Sequence, residues 1–427
     1  MKNSGIEWIG NIPDNWGLVR FKDLCTNKKE VAGKNSGNFD RLALTLNGVI
    51  KRPKDDSEGL QPKEFDTYQV LYENDFVFKM IDLQNISTSR VGLSHYTGLV
   101  SPAYIRFSPK KEGQYNKFVY YFLMSMYYNC VFNSLGGNGV RSALNATDMG
   151  QLIIPYPSLE TQKRIVEFIE TKLAQVDELI ANQQGQIEKL KKYKQSVITE
   201  AVTKGLDKSA PLKDSGIEWI GEINLEHSVW KLKYLLQSPM MYGANESGEM
   251  YSENSVRYIR ITDITMDSQL KDTEEKLYLS TEKAQPYLLK DEDVLFARSG
   301  GTVGKSFIYK SEYGLSAFAG YLIKAECDKE KLLPEFLFFY TQSSLYELWK
   351  NMIFIQATRQ NIGANKYSNM EIIIPSIEGQ HKILNYLKGK CGQIDRLIAI
   401  KQEKIEKLQE YKKSLIYEYV TGKKEIV

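Results

Sequence analysis

Apolar residues along the chain follow two alternating regimes. Over residues 11–156 and 224–374, short apolar runs of strand length are separated by Gly, Pro, Asn and Asp; over 157–204 and 375–422, apolar residues recur in steps of three and four. The second regime is a heptad seam. Its first copy runs through Ile169, Leu173, Val176, Ile180, Gln183, Ile187, Leu190, Lys194, Val197 and Ala201, and its second through Leu387, Cys391, Ile394, Ile398, Lys401, Ile405, Leu408, Lys412, Leu415 and Tyr419. Such a stripe keeps one face of a helix turned toward a partner helix, and its length exceeds that of an ordinary domain helix. Polar residues interrupt the seam at matched places, Gln183 with Lys401 and Lys194 with Lys412. Breaks of this kind fix register at some cost in stability.

The pattern repeats because the sequence does. Pro157–Lys204 and Pro375–Gly422 align without a gap, with roughly half their positions identical, and SGIEWIG occurs at Ser4–Gly10 and again at Ser215–Gly221. Both ends of each half are therefore repeated, and the middles diverge. The first middle carries RLALTLNGVI, YQVLYENDFVFKMI, GLVSPAYIRF and an aromatic helical run over Asn116–Phe132. The second carries SVRYIRITDI, EDVLFARSG, KSFIYK, GYLIKAE and the helix PEFLFFYTQSSLYELWK. The expected fold class is α+β: two pseudo-symmetric domains joined by a long antiparallel two-helix coiled coil. The expected boundaries are 1–156, 157–205, 206–374 and 375–427. About 45 helical residues make a rod of roughly 65 Å.

Composition adds bounds. At 427 residues the chain has room for two to three domains, and 42% hydrophobic with 26% charged residues is a globular balance. The longest apolar run falls short of a membrane span and MKNSGIEWIG lacks a signal pattern, so a cytoplasmic, membrane-free protein is expected. Cys25, Cys130, Cys327 and Cys391 lie far apart, against a disulfide framework or zinc ribbon, and His95, His227 and His381 have no metal spacing. A net charge of +3 permits a nucleic-acid partner, and 27 tyrosines suit a contact surface.

Three local motifs point to catalysis and fail. Ser299–Ser306, SGGTVGKS, is close to a P-loop, but the first required glycine is Ser299, and Lys305 leads into a strand pattern instead of a helix. Ser101-Pro102-Ala103-Tyr104 lacks the second proline of the amino-methyltransferase N-P-P-Y. Glu274 and Lys276 form an E-x-K without an upstream acidic pair.

With catalysis unsupported, the repeats carry the inference. The chain resembles the specificity (S) subunits of type I restriction-modification systems. The resemblance rests on several motifs: both SGIEWIG openings; the closings Ile154–Pro157 and Ile374-Pro375-Ser376; the helix openings Glu160-Thr161-Gln162 and Glu378-Gly379-Gln380; Ile-Glu-Lys-Leu at 187–190 and 405–408; and Asp293–Gly300 with Thr302–Lys305. It implies two target recognition domains, each gripping one half of a split sequence in double-stranded DNA. It also implies two modification (M) subunits docked on the coiled coil, with restriction (R) subunits joining for cleavage. No catalytic site and no cofactor are implied for this chain; S-adenosylmethionine, ATP and Mg belong to the partner subunits. Two alternatives are a fragment of a single-chain restriction and methylation enzyme and a coiled-coil scaffold that does not bind DNA.

Candidate base or phosphate contacts are loop side chains with fork, amide or hydroxyl geometry. In domain one these are Arg41, Thr45, Asn47, Lys51, Arg52, Lys79, Gln84, Asn85, Ser89, Arg90 and Arg141. In domain two they are Tyr242, Asn245, Arg257, Tyr258, Arg260, Thr262, Arg298, Thr302, Lys305, Arg359 and Gln360. Off the seam, Phe168, Leu179, Tyr193 and Ile198, with counterparts Tyr386, Leu397, Tyr411 and Ile416, are apolar beyond the needs of a two-helix contact. Partner subunits or the flanking domains are expected to pack there.

Overall fold

The computed structural model describes residues 1–46, 48–55, 64–81, 83, 90–111, 114–135, 143–265, 267–271, 275–355 and 360–426. It comprises two units, Met1–Gln184 with Glu403–Val427, and Gly185–Gln402.

In the first unit, eight strands form two four-stranded sheets. They are β1 (Cys25–Asn27), β2 (Arg41–Thr45), β3 (Gly48–Arg52), β4 (Gln69–Leu71), β5 (Phe76–Lys79), β6 (Arg90–Leu93), β7 (Gly98–Val100) and β8 (Ile105–Pro109), in orders β1-β8-β5-β6 and β3-β2-β7-β4. RLALTLNGVI is not one strand. It folds back as the β2–β3 hairpin, with Thr45 opposite Gly48 and Gly48 at φ +92, a left-handed angle that glycine adopts without strain.

Phe76, Val77 and Phe78 are all buried because β5 is covered on both faces. The close approach of the other sheet is read at Gly92, where an added Cβ would lie 2.6 Å from Leu44 Cδ1. On the opposite side, helix Asn116–Tyr128 buries Phe118, Val119, Phe122, Leu123 and Met126. The expected run to Phe132 breaks after Tyr128, with Cys130 at φ +56, and resumes as Val131–Leu135.

The second unit repeats this plan with β9 (Met241–Tyr242), β10 (Ser255–Ile259), β11 (Tyr278–Ser280), β12 (Val294–Ala297), β13 (Ser306–Ile308), β14 (Ser316–Phe318) and β15 (Leu322–Ala325). The sheet orders are β9-β15-β12-β13 and β11-β10-β14. From β5 onward five matched elements begin 218 residues apart, 76 and 294, 98 and 316, 116 and 334, 146 and 364, 153 and 371, and the other matched strands begin within two residues of that offset. Each domain even keeps one parallel pair, Leu99 with Arg41 and Ala317 with Tyr258.

A buried ion pair also recurs at this offset. Arg106 Nε lies 2.5 Å from Asp75, with both side chains 3% exposed, and Lys324 Nζ lies 3.5 Å from Asp293. Burial holds the Asp293 carboxyl above the usual carboxylate range.

The long helices are α1 (Leu159–Lys204) and α2 (Ile377–Val420). Within the first unit Phe168 packs on Tyr419 and Asp177 bonds Lys412; within the second Gln186 bonds Lys401 and Lys194 bonds Asp395. In both, rising numbers on α1 meet falling numbers on α2, so the segments run antiparallel. Val176, Ile187, Val197, Cys391, Ile394, Ile405 and Leu415 are buried on this seam, and Leu173, Ile180, Leu190, Ile398 and Leu408 are half-buried. Its ends merge into the domain cores, Ile169 with the first unit and Ala201 and Leu387 with the second.

Candidate nucleic-acid interface

In domain two the hairpin connecting β12 to β13 stands on a rigid base. Gly304 N–H donates to Ala297 O at 2.9 Å, and the same carbonyl accepts from the buried Tyr367 hydroxyl at 3.0 Å. Gly304 O accepts from the buried Tyr346 hydroxyl at 2.6 Å. Burial pushes both phenols above their usual range, so they remain protonated donors. Gly300 and Gly304 take φ of +79 and +81, and SGGTVGKS is a β-hairpin turn that feeds a strand.

Arg298 begins this turn. Its N–H donates to Tyr321 O at 3.0 Å and its carbonyl accepts from Ile362 N–H at 2.9 Å. Its guanidinium stacks 4.9 Å from the centre of the Tyr242 ring, and the Tyr242 hydroxyl accepts from Ala364 N–H at 2.9 Å. Arg298 is thus oriented by stacking on Tyr242, with its Nε buried and without a hydrogen-bond partner among the described residues. The matched position in domain one is Met80, which is buried, although its carbonyl keeps the equivalent bond from Leu144 N–H.

The other domain-two candidates separate by environment. Asn245, Thr262 and Gln360 are exposed, and Thr302 and Lys305 are half-buried. Arg257 donates to Lys271 O at 3.3 Å, and Arg260 is paired with Asp263 at 2.9 Å. Tyr258 is a correction. It is 3% exposed, and its hydroxyl donates to Ala244 O at 2.5 Å, because alternation on β10 turns it into an apolar cluster instead of toward a groove.

In domain one the candidates collect on the β2–β3 hairpin and at the open end of β5–β6. Arg41 lies opposite Arg52, and Lys79 opposite Arg90. Lys51 bonds Asp40 at 2.8 Å and sits 5.4 Å over the Tyr96 ring, while the Thr45 hydroxyl donates to Gly48 O. Arg52, Lys79 and Arg90 are half-buried, and Arg41 is 8% exposed. Burial pushes the Tyr104 phenol up, and the charges of Arg90, Arg41 and Arg52 pull against that rise, so all three guanidiniums lie within electrostatic reach of it. Asn47, Gln84, Asn85, Ser89, Arg141 and Arg359, with Glu274, lie outside the described residues.

Sequence reasoning missed Tyr96 and Tyr321, which are 39% and 60% exposed beside Lys51 and Arg298. The signal that could have found them is an aromatic residue inside a turn next to a cation. Of the expected docking residues, Leu179, Tyr193, Tyr386, Leu397 and Tyr411 are 43–49% exposed, and Phe168 is half-buried on Tyr419. For Ile198 and Ile416 it is the flanking domain that packs there, and not a partner subunit: each is buried in the core of the domain that flanks its helix.

Among the described residues no group of three or more His, Cys, Asp or Glu is placed to hold a metal ion, and no helix is long and apolar enough to cross a membrane. The type I restriction modification DNA specificity domain matches this chain twice, over residues 13–192 and 244–410. The chain belongs to that family. It is 22% identical over 409 residues to the type I restriction enzyme StySPI specificity subunit of Salmonella potsdam, covering 91% of this chain and 84% of that one. It is 28% identical over 278 residues to the MjaVIII specificity subunit of Methanocaldococcus jannaschii, covering 63% and 61%. A solved chain from work on complex assembly and conformational transition of the type I R-M system superimposes with a TM-score of 0.67 at 15% identity, covering 96% of this chain and 98% of that one. The family's two specificity domains coincide with the two halves related by the 218-residue offset.

Proposed function

We propose that this chain is the DNA-specificity subunit of a type I restriction-modification complex. Each domain reads one half of a split target, and the chain directs methylation and cleavage that partner subunits perform. The observation that carries this reading is the duplication itself. The two domains share strand order, a buried ion pair and closing elements at a constant offset, and they differ in the side chains of their hairpins and loops. A common scaffold with divergent loops is the arrangement for two readers of different sequences.

In this reading the exposed Leu179, Tyr193, Leu397 and Tyr411 offer matched faces for two modification subunits, and restriction subunits join that assembly. S-adenosylmethionine, ATP and Mg are held by those partners, this chain contributes no catalytic group, and the complex works in the cytoplasm. Split reading follows from physics: two domains strung on long helices meet DNA at separate places, leaving an unread spacer between half-sites.

The test is co-expression of this chain with a type I modification subunit from the same genome, followed by methylome mapping. Adenine methylation at an asymmetric bipartite site is the expected result. Methylation by the chain alone, or at a continuous site, overturns the reading.

A further inference from the structure

The two domains carry their positive charge on different elements. Leu99 and Ala317 are equivalent strand positions, and their parallel partners are Arg41 and Tyr258. Across the hairpin, Arg41 lies opposite Arg52, while Tyr258 N–H bonds Leu277 O at 2.8 Å. Two residues further on, Lys54 corresponds to Leu279. Three cations of domain one therefore stand where domain two has Tyr258, Leu277 and Leu279.

Domain two closes this face. Tyr258, Leu279 and Ala284 share a buried cluster, with helix Thr281–Ala284 laid over the strands. The neighbouring connection shows the same contrast. Between β1 and β2 it carries Lys28, Lys29 and Lys34 against Glu30 and Asp40, and between β9 and β10 it carries Glu246, Glu249 and Glu253 with no Lys or Arg. The Lys54 ammonium donates to Ser36 O at 2.9 Å, which places the lysine-bearing connection beside the hairpin in domain one. Arg90 adds a further charge from the end of β6.

Resting on the function proposed above, we infer that the β2–β3 face of domain one, with Arg52, Arg90 and the adjoining lysines, grips the DNA phosphate backbone. We further infer that the matching face of domain two does not touch DNA. A base edge takes one bidentate guanidinium and is neutral, so several cations on one face exceed what base reading can use. A run of phosphates, with one negative charge per ~1.7 Å of duplex, matches them. The connection of domain two pairs Glu246 and Glu249 with Lys283 and adds the carboxylate of Glu253, so it offers that backbone no excess of cations. Arg41, Arg52 and Arg90 each make further contacts within the chain.

The consequence is an asymmetric salt dependence, measured on the chain bound to its modification subunits, with a duplex carrying its bipartite site. Each lost phosphate contact lowers the slope of log affinity against log salt by about 0.9. Arg52→Gln with Arg90→Gln is expected to lower it by about 2 while leaving the methylated sequence unchanged. Lys276→Gln with Lys283→Gln on domain two is expected to leave the slope unchanged. The charge-keeping pair Arg52→Lys with Arg90→Lys is expected to retain the wild-type slope, which separates charge from folding. An unchanged slope in the Arg52 and Arg90 glutamine variant, or an equal fall in both glutamine variants, overturns this inference and leaves the specificity function standing. A wild-type complex that binds no duplex overturns both.

Discussion

Lys194 Nζ lies 2.7 Å from the Asp395 carboxylate, and Lys412 Nζ lies 2.5 Å from Asp177, so one ion pair occurs twice at an offset of 218 residues. Both lysines occupy seam positions where an apolar residue is expected, and both reach across to the opposing helix. Partly exposed pairs of this kind contribute little energy, roughly 0.3–1 kcal/mol. A double-mutant cycle of Lys194→Ala and Asp395→Ala, read by thermal unfolding, is expected to give a coupling in that range. Ile394→Ala, at a seam position 2% exposed, is expected to cost about 2–5 kcal/mol in the same assay. A coupling larger than the cost of Ile394→Ala would reverse this ranking of register against stability.

The buried pairs at the entry to β5 and β12 behave differently. Asp75→Asn removes the anion at 2.5 Å and leaves the buried Arg106 guanidinium only Glu30 at 3.6 Å, and is expected to destabilise by about 3 kcal/mol. Asp293→Asn is expected to cost less. Lys324 is 3.5 Å away, and burial already favours the neutral form of that carboxyl. Melting temperatures of the two variants, measured side by side at pH 7, check the order.

What the sequence made legible follows the range of the forces involved. The helices were readable because a heptad seam is a local periodicity, and the duplication stated it twice. The α+β plan was readable from apolar run lengths. The hairpin in RLALTLNGVI is not visible in run length, although Asn-Gly at 47–48 is a local turn signal, and the structure has Gly48 at positive φ with Arg41 opposite Arg52. Tyr258 stands among the candidate contacts as a hydroxyl-bearing side chain between Arg257 and Arg260. Alternation on β10 turns it inward, and the cover of helix Thr281–Ala284 helps close the cluster around it, which is a tertiary contact. The fixation of Arg298 on Tyr242 joins residues 56 positions apart and left no local trace.

The Tyr346 hydroxyl ties the base of the domain-two turn through Gly304 O. Tyr346→Phe removes one buried hydrogen bond and is expected to cost about 0.5–1.5 kcal/mol of stability. Its effect on DNA should be confined to one half-site. Affinity for duplexes altered in the domain-two half falls less steeply relative to cognate DNA, while discrimination in the other half is unchanged. Competition binding with half-site variants measures this, and equal relaxation of both halves would contradict it.

His227 caps the end of α1, its Nδ1 3.0 Å from Thr203 O, and burial holds its pKa below the ordinary 6.5. A depressed histidine pKa means the unfolded chain binds the proton more readily. Stability from this group is therefore complete above about pH 6.5 and is lost as pH falls from there through the folded value. Wild type is expected to lose more melting temperature between pH 7.5 and pH 5.5 than His227→Asn, which has nothing to protonate. Equal losses would show that the cap does not titrate in the folded protein.

The long helices bear on the spacer between half-sites. α1 has 46 residues and α2 has 44, and their apolar positions keep the heptad phase from end to end. Inserting one heptad at matched places in both helices preserves that phase and adds about 10 Å of helix. At ~3.4 Å per base pair this corresponds to about three base pairs of B-DNA. If helix length sets the separation at which the two domains read, methylation by the complex should move to the same two half-sites with a spacer roughly three base pairs longer. Methylome mapping of cells expressing the lengthened chain decides it. Retention of the original spacer with full activity would show that some element other than the helices fixes the distance.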